Sequence, residues 1–353
     1  MPRAPVTVLV IDDSASNRRA IVEMLEAEPG ITVLDRAVDG DEGLKKVEAL
    51  KPDVVTLDLE MPRLDGFGFL RLNKARYGPK VLVISSYAHP NDVLKALELG
   101  AFDFVAKPMG ASTTGLEAMR RELVEKIEAA RPLQAKNTVT PRLDLEKARR
   151  PSSGPFPVIA VGASTGGPTA VQSLIAGLQG VKACVLVCQH MPPKVTAAFA
   201  QRLDGTGGFS VAEARVGDVL MPGKIFVAPG GMHLSVVNGS SAQTLVLMTQ
   251  PAAAEDKYAP SIDRLFSSLA KECPTRTWGV VLTGMGHDGS RGLEALVHAG
   301  GEGWAEAEES AVVFGMPRAA IATGSVRVVL PIAQLAPALR QTVGMLYPHS
   351  IAG

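Results

Sequence analysis

The sequence predicts two doubly wound α/β domains, each built on a parallel sheet, with a polar linker between them. Residues 6–131 alternate strand-like and helical segments five times. Residues 131–157 break that alternation with a proline-bearing stretch of six Lys/Arg against two Asp/Glu. Residues 158–348 then resume α/β character. Regular β-α repeats with continuously apolar strands mean a parallel sheet covered on both faces. At 353 residues the chain has room for about two domains of roughly 100–200 residues each. The expected division is 1–131, a solvated linker over 132–157, and 158–348.

In the first domain the apolar runs place strands at Val6–Asp12, Ile31–Val38, Asp53–Leu59, Lys80–Ser85 and Asp103–Lys107. Helical patterns follow at Ala15–Glu28, Asp41–Leu50, Phe67–Arg76, Asn91–Leu99 and Thr114–Ala130. In the second, strands are expected at Val158–Val161, Ala183–Gln189, Lys224–Ala228, Thr277–Thr283, Gly303–Ala305 and Val326–Leu330. Helices should start near Pro168, Pro193, Ser261, Ser290 and Met316. Between 209 and 248, Asn238-Gly239 flanked by apolar runs signals a small β-hairpin insertion.

Composition excludes several classes. Thirty-six bases balance thirty-six acids, so no bulk charge favours nucleic acid or an anionic membrane. No apolar run approaches the ~20 residues of a membrane span. Met1-Pro-Arg-Ala-Pro5 leads straight into a strand rather than a signal peptide, and a cytoplasmic location is expected. Cys184, Cys188 and Cys273 lack metal-ligand spacing and read as buried thiols in a reducing compartment.

Strand ends carry the chemistry of the first domain. Asp12 and Asp13 end the first strand, Asp58 the third, Ser85 the fourth and Lys107, followed by Pro108, the fifth. All lie at the carboxyl edge of one sheet, where open α/β folds bind ligands. Three clustered carboxylates repel unless a cation joins them, and oxygen ligands with room for water suit Mg²⁺. A carboxylate so placed can attack a phosphoryl group, with the lysine and the serine hydroxyl contacting the transferred phosphate. Residues 6–131 thus resemble a response-regulator receiver domain, a flavodoxin-like fold. The resemblance implies Asp58 as phosphoacceptor, and Asp12 and Asp13 as Mg²⁺-binding acids. It implies Glu60 as donor of a backbone carbonyl to the metal, with Met61-Pro62 and Asp65-Gly66 in the loop that follows. Ser85 and Lys107 match the switch hydroxyl and the lysine. Phe104 stands where many receivers carry tyrosine, which leaves an aromatic rotamer switch but no hydroxyl.

In the second domain, Gly162-Ala-Ser164-Thr-Gly-Gly167-Pro168 follows the run Val158–Val161. A serine at a glycine-flanked strand-to-helix corner is the layout of a nucleophile elbow. The glycines permit the sharp turn, and backbone N–H groups past the serine can hold an oxyanion. The same glycines can cradle a phosphate, but the spacing is not that of a dinucleotide fingerprint. A serine nucleophile needs a base and a group that orients it. His190 ends the strand Ala183–Gln189, one β-α unit later, and Asp288 lies in the glycine-rich loop Leu282–Gly289. His287, beside Asp288, is a competing base, and His233 can line the cleft. His89, His298 and His349 read as surface or helix positions. The chain order Ser, His, Asp differs from the α/β-hydrolase order Ser, Asp/Glu, His.

That order and these segments resemble the catalytic domain of the chemotaxis protein-glutamate methylesterases, a Rossmann-like α/β hydrolytic domain. Matching blocks are Gly162–Pro168, Gln189–Pro192, Ala228–His233, Pro260–Asp263, Leu282–Gly289 and Val313–Pro317. The resemblance implies Ser164 as nucleophile, His190 as general base and acid, and Asp288 as orienter. The Met285 N–H, with that of Thr165, would form the oxyanion hole. One departure is Ala305-Glu306, where the family pattern leads to Ala-Gln. The substrate implied is a γ-glutamyl methyl ester on a helical chemoreceptor, with deamidation of receptor glutamines as a second activity and no cofactor for hydrolysis. A soluble histidine kinase would supply phosphate to Asp58. The implied control is a receiver face that covers the Ser164 cleft until phosphorylation. Two other readings stand beside this one: a phospho-regulated binding module, and a serine hydrolase with a different substrate.

Overall fold

The computed structural model describes residues 4–76, 78–86, 90–107, 113–131, 142–143, 155–204, 206, 208–240 and 244–347. Pro108, His89, His349 and residues 132–141 and 144–154 of the expected linker lie outside them. The chain forms two compact units, Met1–Ala135 and Lys136–Gly353.

The first unit runs β1 (Val6–Ile11), α1 (Ala15–Glu26), β2 (Ile31–Ala37), α2 (Gly40–Leu50), β3 (Val54–Leu57), α3 (Gly66–Ala75), β4 (Lys80–Ser86), α4 (Pro90–Glu98), β5 (Asp103–Lys107) and α5 (Thr113–Ala129). The strands lie in the order β2-β1-β3-β4-β5, every pair parallel. Helix starts follow from capping side chains. Ser14, Asp39 and Asp65 accept from the N–H groups of Asn17, Glu42 and Gly68, each cap stabilising by about 1 kcal/mol. The chain turns to one side after β1 and to the other after β3. The crevice between those two strand ends is the topological switch point, where such sheets take ligands.

The second unit runs β6 (Arg142–Leu143), β7 (Val158–Ala163), α6 (Gly167–Gly177), β8 (Cys184–Gln189), α7 (Val195–Asp204), β9 (Ser210–Glu213), β10 (Lys224–Val227), β11 (Met232–Asn238), β12 (Leu245–Pro251), α8 (Ile262–Glu272), β13 (Thr277–Val281), α9 (Ser290–His298), β14 (Glu302–Glu306), α10 (Met316–Ala322), β15 (Val328–Leu330) and α11 (Ile332–Leu346). The large sheet has the order β6-β15-β14-β13-β7-β8-β10-β9. Strands β7, β8 and β13 are buried at every residue, as a sheet covered on both faces requires. Its switch point lies between β7 and β13. Helix α8 turns Ile262, Leu265, Phe266 and Leu269 inward, a 3.6-residue stripe that stabilises by about 1.5–3 kcal/mol per side chain. Helices α6 and α11 touch closely: a Cβ added at Gly177 would stand 2.5 Å from Ala336 Cβ.

Three differences from expectation have physical causes. Arg142–Leu143, placed in the linker, pair antiparallel with β15, so that short piece caps a sheet edge. Helix α11 was not foreseen, because Pro337 lies inside it and proline removes a helix hydrogen bond. The hairpin β11–β12 is present, but Asn238-Gly239 open a longer connection to Leu245 rather than a two-residue turn. There Gly239 N–H donates to the Thr244 carbonyl at 2.7 Å.

Candidate active site

The receiver-like pocket gathers Asp12, Asp13 and Asp58, whose carboxylate oxygens lie within 4.8 Å of one another. Backbone bonds fix them. Asp58 N–H donates to the Ile11 carbonyl at 2.9 Å, and Ser14 N–H donates to Asp12 Oδ1 at 2.9 Å. Lys107 Nζ bridges Asp58 Oδ2 at 2.8 Å and Asp12 Oδ2 at 3.1 Å. Burial favours neutral Asp12 and raises its pKa, with Lys107 working against that. For Lys107, burial is outweighed by the hydrogen bonds and charges of Asp58 and Asp12, which lift its pKa. A hard, all-oxygen donor set beside one ammonium suits Mg²⁺. Glu60 is exposed, consistent with a residue that would offer its carbonyl rather than its side chain. Ser85 lies on β4 opposite Ala106 of β5. Phe104 is buried, and Lys126 lies over its ring with Nζ 5.0 Å from the centroid.

In the second unit, Ser164 leaves β7 and His190 leaves the neighbouring β8. The loop bearing Asp288 leaves β13 on the other side of β7. The Ser164 turn is tight: Gly167 N–H donates to the Ser164 carbonyl at 2.7 Å. Gly166 takes φ 76°, and a Cβ there would meet Val312 at 2.6 Å, so only glycine fits. Ser164 N–H donates to the Thr283 carbonyl at 3.0 Å. The Gln189 amide donates to the carbonyls of Ser164 at 2.8 Å and His190 at 3.2 Å, tying the two strand ends together.

His190 Nε2 lies 2.8 Å from Asp288 Oδ2. Asp288 is 3% exposed and sits on the N-terminus of α8. It accepts from the N–H groups of Ile262 (2.8 Å), Asp263 (3.0 Å) and Gly289 (3.1 Å), and from Ser261 Oγ at 3.2 Å. Burial opposes its charge, but the His190 hydrogen bond and these N–H donors outweigh it and lower the carboxyl pKa. Thr165 is buried and Met285 half-buried. Gly284, beside Met285, packs on the nucleophile: a Cβ there would stand 2.7 Å from Ser164 Cβ.

His287 is exposed, and His298 Nδ1 bonds its own helix at the Glu294 carbonyl. His233 is buried and pairs through Nε2 with Asp256 at 2.8 Å, while Arg264 holds the other Asp256 oxygen at 2.7 Å. Sequence reasoning missed Tyr258. Its ring stacks on His190 with centroids 4.6 Å apart and planes 8° apart, and its hydroxyl lies over Gly286. No motif signals this; only the path of the loop entering α8 brings the ring there.

Two α/β units, one with an acidic receiver pocket and one with a serine-bearing turn beside a histidine–aspartate pair, define a response regulator whose output unit is a hydrolase. Residues 8–118 match the response regulator receiver domain and residues 159–339 the CheB methylesterase. The protein-glutamate methylesterase/protein-glutamine glutaminase 1 of Myxococcus xanthus (strain DK1622) is 55% identical over 336 residues, 95% of this chain and 96% of that one. The like-named protein 6 of Anaeromyxobacter dehalogenans (strain 2CP-C) is 46% identical over 93% of both chains. The crystal structure of the Thermotoga maritima CheB methylesterase catalytic domain aligns at TM-score 0.51 and 32% identity, covering 55% of this chain and 100% of that one. The chain belongs to the CheB methylesterase family.

Proposed function

We propose that this protein is a cytoplasmic, phosphorylation-activated protein-glutamate methylesterase and protein-glutamine glutaminase acting on chemoreceptors. The observation that supports the reading best is the His190–Asp288 pair, a half-buried imidazole on a buried carboxylate at the strand end next to Ser164, held by donors on the carboxylate. Asp288 accepts from Nε2, which leaves Nδ1 of His190 as the basic nitrogen. Ser164 Oγ attacks the ester carbonyl and His190 Nδ1 takes its proton. The N–H groups of Met285 and Thr165 receive the negative oxygen. His190 then protonates the departing methanol, and water, deprotonated by His190, releases free glutamate from the acyl-serine. A glutamine side chain follows the same path with ammonia as leaving group.

In the receiver, Asp58 is the phosphoacceptor for a histidine-kinase donor, with Asp12, Asp13 and the Glu60 carbonyl as the set that would hold Mg²⁺. The bound ion would neutralise the crowded phosphoryl and carboxylate charge. Lys107 and Ser85 would contact the new phosphoryl oxygens, and Phe104 would follow by a rotamer change. The domain limits 1–131 and 158–348 accompany this reading. Methanol release from methylated receptor, measured with and without a small phosphodonor plus Mg²⁺, tests it. Release that rises with phosphodonor and disappears in Ser164→Ala is expected. Hydrolysis of simple esters without any action on receptor would move the assignment to a different substrate.

A further inference from the structure

Glu306 is a buried carboxyl, 1% exposed, at the end of β14. Its Oε2 accepts from the Thr283 N–H at 2.8 Å, and its Oε1 accepts from Ser310 Oγ at 2.8 Å. Thr283 is a hub for the nucleophile turn. Its carbonyl takes the Ser164 N–H at 3.0 Å. Its hydroxyl donates to the Thr165 carbonyl at 2.9 Å and accepts from the Val313 N–H at 2.9 Å. Gly284 and Met285 follow directly. Glu306 is therefore two hydrogen bonds from the residue that bears the nucleophile.

We propose that Glu306 is a positioning residue for the hydrolytic reaction, fixing Ser164, Thr165 and the Met285 loop through Thr283. This rests on the reading of Ser164 as nucleophile. The flanking strands offer it no charge: β13 ends in Val281 and β15 pairs it with Leu330. On the following loop and α10, Glu308 and Arg318 pair with each other at 3.4 Å, and Glu309 is exposed. Asp288, on the 282–289 loop, is occupied by His190 and the α8 N-terminus. Among the described residues no cation pairs with Glu306, so burial holds its carboxyl above the ordinary range. The protonated form fits the same cage. Oε1–H can donate to Ser310 Oγ, whose own hydrogen turns toward the Ala307 carbonyl, while Oε2 keeps the Thr283 N–H. Ionised, Glu306 sets a negative charge behind the loop that must receive an oxyanion. Glutamine reproduces the protonated form and cannot ionise.

The test compares wild type, Glu306→Gln and Glu306→Ala by two rates over a pH series. One is labelling of Ser164 by a fluorophosphonate, which reads nucleophile and oxyanion hole without a receptor. The other is methanol release from methylated receptor. Glu306→Ala should lose about 10- to 100-fold in both, mainly in kcat, and Glu306→Gln should restore the rate. The wild-type to Glu306→Gln ratio should fall along a one-proton curve as pH rises, and the Tm of wild type should fall against that of Glu306→Gln over the same range. A flat ratio, or labelling by Glu306→Ala at the wild-type rate, would overturn the proposal. Should Glu306→Ala not fold, the Glu306→Gln ratio decides alone. Labelling without methanol release would refute the receptor substrate and leave this proposal to be judged on labelling.

Discussion

Replacing Asp288 by Asn keeps shape and removes charge. Every partner of Asp288 in the structure is a donor: His190 Nε2–H, the Ser261 hydroxyl and the N–H groups of Ile262, Asp263 and Gly289. An amide can present only one oxygen. If the NH₂ replaces Oδ2, it faces the Ile262 N–H and His190; if it replaces Oδ1, it faces the Asp263 and Gly289 N–H groups. At least one buried N–H loses its acceptor, at a cost of about 1–3 kcal/mol, and a charge-assisted bond worth a further ~1.5–3 kcal/mol is lost. Stability should drop by about 2.5–6 kcal/mol. With NH₂ toward the imidazole, Nε2 must accept and Nδ1 carries the proton, so Ser164 has no base. A loss in kcat of about 10⁴ is expected. Methanol release and thermal melts read both effects. The pH sign also follows: a carboxyl held below its ordinary value stabilises above the unfolded pKa and loses that contribution as pH falls through the folded one. The melting difference between wild type and Asp288→Asn should therefore close in acid. Activity within tenfold of wild type, or a difference independent of pH down to 3, would refute the account.

Other expectations follow from single contacts. Gly284→Ala places a methyl 2.7 Å from Ser164 Cβ and 2.4 Å from Met316 Sδ, so fluorophosphonate labelling should fall by about 100-fold. Tyr258→Ala removes a stacked ring worth about 0.5–1.5 kcal/mol and should cut kcat by about tenfold, with Tyr258→Phe near wild type; equal rates in all three would deny the ring a role. Asp58→Ala should abolish stimulation by phosphodonor while basal hydrolysis persists. Chelation of divalent cations should do the same, read as loss of the phosphorylated species on a phosphate-affinity gel.

The strand ends were legible because a parallel sheet with alternating crossovers leaves few places for polar residues. Asp12, Asp58, Ser164 and His190 each interrupt an apolar run at its carboxyl end, and that pattern alone points to the carboxyl edge of each sheet. What supports them was not legible. Tyr258 reaches His190 across 68 residues of sequence, and Gln189 looked like the last polar residue of a strand. Glu306 drew notice only as a departure from a pattern; its link to Ser164 depends on Thr283, just past the end of β13, standing between the ends of β7 and β14. Helix α11 was hidden because local proline chemistry argues against it, and packing on α6 overrides that preference.

The close crossing of α6 and α11 has a practical meaning. Helix α6 begins in the Ser164 turn and reaches Gly177 about 15 Å away, where Ala336 is seated against it. The final helix thus acts as a footing for a strut whose far end carries the reactive hydroxyl. The stretch that matches the CheB methylesterase ends at residue 339, yet α11 continues to Leu346. Fragments cut at the similarity boundary would keep the sheet and the histidine–aspartate pair while loosening the strut, and would yield a folded protein with a slackened nucleophile.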